Sequence, residues 1–131
     1  HAGHYLMLKD SKAQCDFLVV GLQTDPTLNE EYRLKTGGKN KNKPIQDYNE
    51  RLIQIDGCKY VDYIVKYESE DELYNIIKEI NPDVRILGSD WNGKEYTGHD
   101  LPTHIHWHHR DHDYSTSNLR KRIFDEESKK K

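Results

Sequence analysis

The sequence predicts an α/β domain built on a parallel sheet with helices on both faces. Three observations carry that expectation. Strand-length apolar runs alternate with helix-length amphipathic stretches, and the connections between them are short. One run, Asp16 to Leu22, is apolar without alternation, as a strand covered on both faces requires. Right-handed crossovers then place helices on both sides and a ligand edge at the carboxyl ends of the strands.

The elements follow in order. Residues 4–14 carry apolar side chains at Tyr5, Leu6 and Leu8 with no Gly or Pro, which makes a short helix with one apolar side. Residues 16–22 form the first strand, ended by Thr24-Asp25-Pro26. Residues 27–44 are polar, contain Gly37-Gly38 and lysines at Lys35, Lys39, Lys41 and Lys43, and are expected to be a mobile loop. Residues 46–58 form a helix capped by Asp47, and residues 60–65 a second strand. Leu73, Ile76, Ile77 and Ile80, at spacings of three and four, predict a helix over 70–80 that Asn81-Pro82 stops. Residues 84–88 form a strand, 89–102 a turn-rich loop, and 103–108 a last strand. Ser115 begins a basic helix through Arg122, and 123–131 is expected to be a charged tail that frays.

The chain has 131 residues, the size of one domain with one core. Hydrophobic and charged residues are nearly balanced, at 34% and 33%, a polar but foldable composition. No apolar run reaches the roughly 18 residues of a membrane span, so a cytoplasmic protein without membrane partners is expected. The net charge of -3 argues against a nucleic-acid partner. Cys15 and Cys58 are isolated, as free thiols are. There is no internal repeat, no GxxxxGK(S/T) phosphate loop and no GxGxxG fingerprint.

Several residues can carry chemistry. His1 and His4 share a face if their segment is helical, and Gly3 between them lets backbone approach a ligand closely. Ser115, Thr116 and Ser117 are helix-capping hydroxyls, and the helix start they mark carries partial positive charge that suits phosphates. Arg110 lies five positions upstream and can add a cationic clamp. Gly88, Asp90 and Trp91 close a strand at the predicted ligand edge. His104, His106 and His108 share one face of the last strand. No cysteine or carboxylate pattern completes a metal site there, so no metal is expected and a partly exposed strand is the simpler reading.

In this order the HAGH opening and the late Tyr114-Ser115-Thr116-Ser117 segment resemble the signatures of the HxGH nucleotidyltransferase superfamily. The resemblance covers nearly the whole chain and implies a Rossmann-like sheet. Arg110 and Ser115 to Ser117 match the family's RTEGIST(T/S) segment, although Asp111-His112-Asp113 replace Thr-Glu-Gly. Gly88-Ser89-Asp90-Trp91 is similar to the GxDW segment of the glycerol-3-phosphate cytidylyltransferase branch. Arg51 and the Lys59-Tyr60-Val61-Asp62 stretch are similar to that branch's ERxxxL and RYVD segments, with Lys59 where the branch has an arginine.

The resemblance implies transfer of CMP from CTP to a phosphorylated small alcohol, with Mg²⁺ on the triphosphate, pyrophosphate as leaving group, and a homodimer. The implied catalytic residues are His1, His4, Lys41, Lys43 and Arg110. The nucleotide would meet Gly3, Gly88, Asp90, Trp91, Ser115, Thr116 and Ser117, and the acceptor Arg51 and Lys59. Two alternatives stand beside this reading: an adenylyltransferase of the same superfamily acting on a sugar phosphate or pantetheine-like acceptor, and a non-catalytic nucleotide- or metal-binding module. The family's pattern also has a buried strand leading into HxGH, so the sequence is expected to be a fragment of a longer product.

Overall fold

The computed structural model describes residues 1–29 and 43–130. In chain order the elements are α1 (Ala2–Ala13), β1 (Val19–Gln23), a 3-10 turn (Pro26–Asn29), α2 (Tyr48–Asp56), β2 (Tyr63–Tyr67), α3 (Glu70–Ile80), β3 (Val84–Gly88), a second 3-10 turn (Ser89–Trp91), β4 (His104–His108) and α4 (Thr116–Ser128). The α/β alternation and the parallel strand direction agree with the sequence. Strand β1 pairs with β2 and β3 with β4, so the sheet is present as two parallel pairs. One continuous sheet needs a hydrogen-bonded neighbour between the pairs, and no segment among the described residues supplies it.

Helix boundaries follow local chemistry. Helix α1 begins earlier than the periodicity suggests, because the His1 side chain caps it by accepting from the Gly3 N–H at 3.1 Å. Asp47 and Glu50 form a reciprocal capping box on α2. On α3, Ser69 accepts from Glu72 N–H, three acidic residues occupy the first turn, and Asn81 in the left-handed region (φ 49°) closes the last. The expected frayed tail is a correction: α4 runs on to Ser128. Its last turns carry Lys121–Asp125 at spacing four and Lys129–Glu126 at spacing three, ion pairs that support an exposed helix.

Two strands start later than expected, for one shared reason. The Asp62 carboxylate accepts from the Leu18 N–H at 2.8 Å, while Asp62 and Tyr63 N–H groups donate to the Leu18 carbonyl. This knot consumes the residues just before both ladders, and Phe17 is left 62% exposed outside β1. The same carboxylate takes Lys12 Nζ at 2.6 Å and ties α1 to the amino ends of β1 and β2. Packing is otherwise thin. Among the described residues the buried apolar side chains are Leu18, Cys58 and Ile77, and Ile80, on the helix face expected to be apolar, is 45% exposed. Both cysteines are free thiols, Cys58 buried and Cys15 half-buried.

On the second pair, Arg85 of β3 reaches across to donate to the Thr97 carbonyl and lies 5.5 Å from the Tyr96 ring centre. Burial lowers its pKa from the usual guanidinium value. Gly98 sits at φ +82°, and a Cβ there would meet Arg85 Nη1 at 2.8 Å, so this turn needs glycine on both counts.

Three carboxylates titrate below their usual range. Asp62 is lowered first by the Leu18 N–H and then by Lys12, Asp25 first by the Thr27 hydroxyl, and Asp10 first by His108. A folded pKa below the unfolded one contributes stability that is complete above the unfolded value and is lost as pH falls through the folded value. The thermal midpoint is therefore expected to stay level down to about pH 5 and to fall below about pH 4. Calorimetric scans across that range check it, and Asp62→Asn is expected to flatten the acid limb.

Candidate functional site

The carboxyl ends of β3 and β4 lie side by side, with Gly88 in register with His108. Beyond Gly88 the chain turns through Ser89, Asp90 and Trp91, and beyond His108 it runs through Arg110 and His112 to Ser115, the cap of α4. The first turn of α1 reaches this same region. A Cβ added to Gly3 would lie 2.6 Å from the His112 ring and 2.9 Å from the His1 ring. Only glycine permits that approach without displacing a ring. Two helix starts are thus drawn together, each carrying partial positive charge.

At the α1 start, the His1 and His4 rings stack with centroids 3.8 Å apart and planes at 26°. His1 Nδ1 accepts the Gly3 N–H, which leaves its donor on Nε2. His4 is exposed in the first helical turn. At the α4 start, Ser115 Oγ accepts the Asn118 N–H at 3.0 Å, and Thr116 and Ser117 are exposed. Arg110 is exposed and folds back to donate to the Tyr114 carbonyl, bracing the turn into α4. The Tyr114 N–H in turn donates to His112 Nδ1 at 3.1 Å, which fixes the ring facing Gly3.

At the strand end before the second 3-10 turn the Asp90 side chain folds over Gly88, where a Cβ would meet its Oδ1 at 2.7 Å. Asp90 is exposed and Trp91 half-buried, with Lys94 Nζ 5.9 Å from its ring centre. His1, Gly3, His4, Gly88, Asp90, Trp91, Arg110 and Ser115 to Ser117 therefore lie on elements that converge on one edge.

The remaining expected site residues are placed differently. Arg51, at the carboxyl end of β1, donates to the carbonyls of Gln46, Gln23 and Thr24. Lys59 precedes β2, at the amino end of that parallel pair, with Nζ 5.3 Å from the Tyr60 ring centre. That end is opposite the one Arg51 serves. Lys43 is exposed and close enough to Asp25 to help lower its pKa, after the Thr27 hydroxyl and N–H. Lys41 lies outside the described residues, as does most of the expected loop over 27–44.

The histidine strand holds what sequence reasoning missed. A carboxylate does reach it, from another element: Asp10 Oδ2 lies 2.7 Å from His108 Nδ1 and 3.1 Å from His106 Nε2. The available signal was the face of α1, because Asp10 shares it with the buried Gly3 and Ser11. Among the described residues no group of three or more His, Cys, Asp or Glu side chains is arranged to hold a metal ion. No described helix is long and apolar enough to cross a membrane.

Known proteins are similar to this chain over most of its length. The bifunctional protein HldE of Wolinella succinogenes is 39% identical over 101 residues, 77% of this chain and 20% of that protein. HldE of Campylobacter concisus is 35% identical over 125 residues, 95% of this chain and 25% of that protein. HldE of Helicobacter pylori strain HPAG1 is 34% identical over 123 residues, covering 94% of this chain and 25% of its own length. The chain spans a quarter or less of the relatives it matches. The cytidylyltransferase-like family matches residues 1–123, from the stacked histidines through the α4 start, and the chain belongs to that family.

Proposed function

We propose that this domain transfers AMP from ATP to the phosphate of a sugar phosphate, releasing pyrophosphate. The observation that carries the reading is the meeting of two donor-rich helix starts, with Gly3 of α1 against His112 before α4. A triphosphate laid between them would meet His1, His4, the partial positive charge of both helix starts, and Arg110. An acceptor phosphate oxygen attacks the α-phosphorus, the bond to the bridging oxygen breaks, and its electron pair leaves with pyrophosphate. The negative charge gathering on that leaving oxygen is what preorganised donors stabilise. The work of the residues is positioning and charge stabilisation, and no side chain need act as nucleophile. Mg²⁺ would enter with the triphosphate as part of the substrate.

The choice of nucleotide rests on the relatives. The Gly88-Ser89-Asp90-Trp91 and Tyr60-Val61-Asp62 stretches favour CTP and an alcohol phosphate. Similarity to the HldE proteins over most of the chain favours adenylyl transfer to a sugar phosphate, and it weighs more because it spans the site as a whole. The structure also supports a packing role for one of those stretches, since Asp62 ties β1 to α1. Pyrophosphate release from ATP, CTP, GTP and UTP, each with a set of sugar phosphates and with glycerol 3-phosphate, tests the proposal. Turnover is expected with ATP and a sugar phosphate. Preference for CTP with glycerol 3-phosphate would restore the cytidylyl reading, and binding without turnover of any triphosphate would leave a nucleotide-binding module.

A further inference from the structure

The geometry points to Asp10 as a positioning residue that pins α1 to β4 through the ring N–H groups of His106 and His108. Asp10 lies six residues along α1 from His4, and both histidine nitrogens converge on the same carboxylate oxygen. An ionised carboxylate only accepts hydrogen bonds, so both contacts require protons on the histidines: on Nε2 of His106 and on Nδ1 of His108. The other carboxylate oxygen, Oδ1, takes Gln14 Nε2 at 3.3 Å, which completes the set around Asp10 from its own helix. From the neighbouring strand, Arg85 turns instead to Thr97, and His104 at the start of β4 is exposed.

The pin has a functional place because of what its two ends carry. Helix α1 bears His1, Gly3 and His4 in its first turn, and β4 runs directly into Arg110, His112 and the α4 cap. Helix α1 and this strand region therefore meet at two points, Asp10 with His106 and His108, and Gly3 with His112. Releasing the first lets the helix pivot or slide on the second. His108 is the more enclosed of the two, its side chain 14% exposed against 31% for His106. The Nε2 of His108 is buried and has no hydrogen-bond partner among the described residues, the acceptor that a proton on Nδ1 leaves there.

The role asked of the histidines is N–H donation alone, which separates it from metal binding or base catalysis. An Asn side chain places its amide nitrogen near the position of His Nδ1, and a Gln side chain reaches that of His Nε2. His108→Asn and His106→Gln should therefore keep the pin, whereas Asp10→Ala and His108→Leu remove it. In the full-length protein, with ATP and the sugar phosphate it uses, Asp10→Ala is expected to lower kcat roughly 10-fold or more while KM for ATP stays within about threefold. His108→Leu, which fills the same space, is expected to do the same and is the variant to read if Asp10→Ala does not fold. His108→Asn and His106→Gln are expected to keep at least about half of wild-type kcat. Wild-type kcat in Asp10→Ala or in His108→Leu, or a His108→Asn variant as slow as His108→Leu, would overturn the inference.

The kinetic arm rests on the proposed transfer reaction, and a second arm does not. Imidazole ¹⁵N spectra of the wild-type protein are expected to show His106 protonated on Nε2 and His108 on Nδ1, both altered in Asp10→Ala. The opposite tautomers would sink the pin even in an active enzyme. The expected tautomers in a protein that turns over no triphosphate would keep the pin and reject the reaction.

Discussion

His4→Ala is expected to lower kcat by about 10²–10³, the cost of removing one preorganised donor to charge that develops in the transition state. His4 is suited to this test because it is exposed and lies in the first turn of α1, stacked on His1 but not serving as the helix cap. Folding stability should change little, whereas His1→Ala would also remove the cap on Gly3 N–H and confound the two effects. The measurement is pyrophosphate release at saturating ATP and sugar phosphate, with thermal unfolding run alongside. Near-normal turnover of a folded variant would take the histidine out of the mechanism. A rise in KM with kcat preserved would show that His4 contributes to ground-state binding instead.

Much of this site is legible from local patterns. The α3 helix is written in Leu73, Ile76 and Ile77 at spacings of three and four, in its Ser69 cap, and in Asn81-Pro82 as a stop. Motifs at the two chain ends are legible as types of donor, and parallel α/β topology predicts that strand ends gather them. What sequence patterns do not carry is pairing between distant segments. Asp62 reads as one carboxylate in a YVD stretch, yet it sets where two strands begin because its partners, Leu18 and Lys12, lie more than 40 residues away. Asp10 and His106 are likewise 96 residues apart, so the histidine strand looks incomplete until α1 is laid on it.

The α4 extension was hidden for a different reason. Residues 125–127 are all acidic, and 123–128 lack a consistent apolar stripe, which favours a frayed tail by periodicity. Pairs at spacing three and four support the helix, which has no buried residue among those described, and Ile123 and Phe124 remain 56% and 70% exposed on it. A helix with so little burial is expected to open more readily than α3, whose Ile77 is buried.

Arg51 is where the expectation from resemblance and the structure lead to different outcomes. A role in holding the acceptor predicts that Arg51→Met raises KM for the acceptor and leaves stability alone. In the structure its Nε, Nη1 and Nη2 donate to the carbonyls of Gln46, Gln23 and Thr24, and the guanidinium lies 5.9 Å from the Tyr48 ring centre. Those carbonyls belong to the end of β1 and the lead-in to α2, and one planar fork serves all three. Hydrogen bonds from a charged donor contribute roughly 1.5–3 kcal/mol each, though partial exposure of the side chain and water at the vacated carbonyls reduce the sum. Arg51→Met is therefore expected to cost about 2–4 kcal/mol of stability. Arg51→Lys should recover less than half of it, because an ammonium cannot reproduce the fork. Urea unfolding of both variants measures the loss. A Met variant within about 0.5 kcal/mol of wild type, with acceptor KM raised, would return Arg51 to the acceptor.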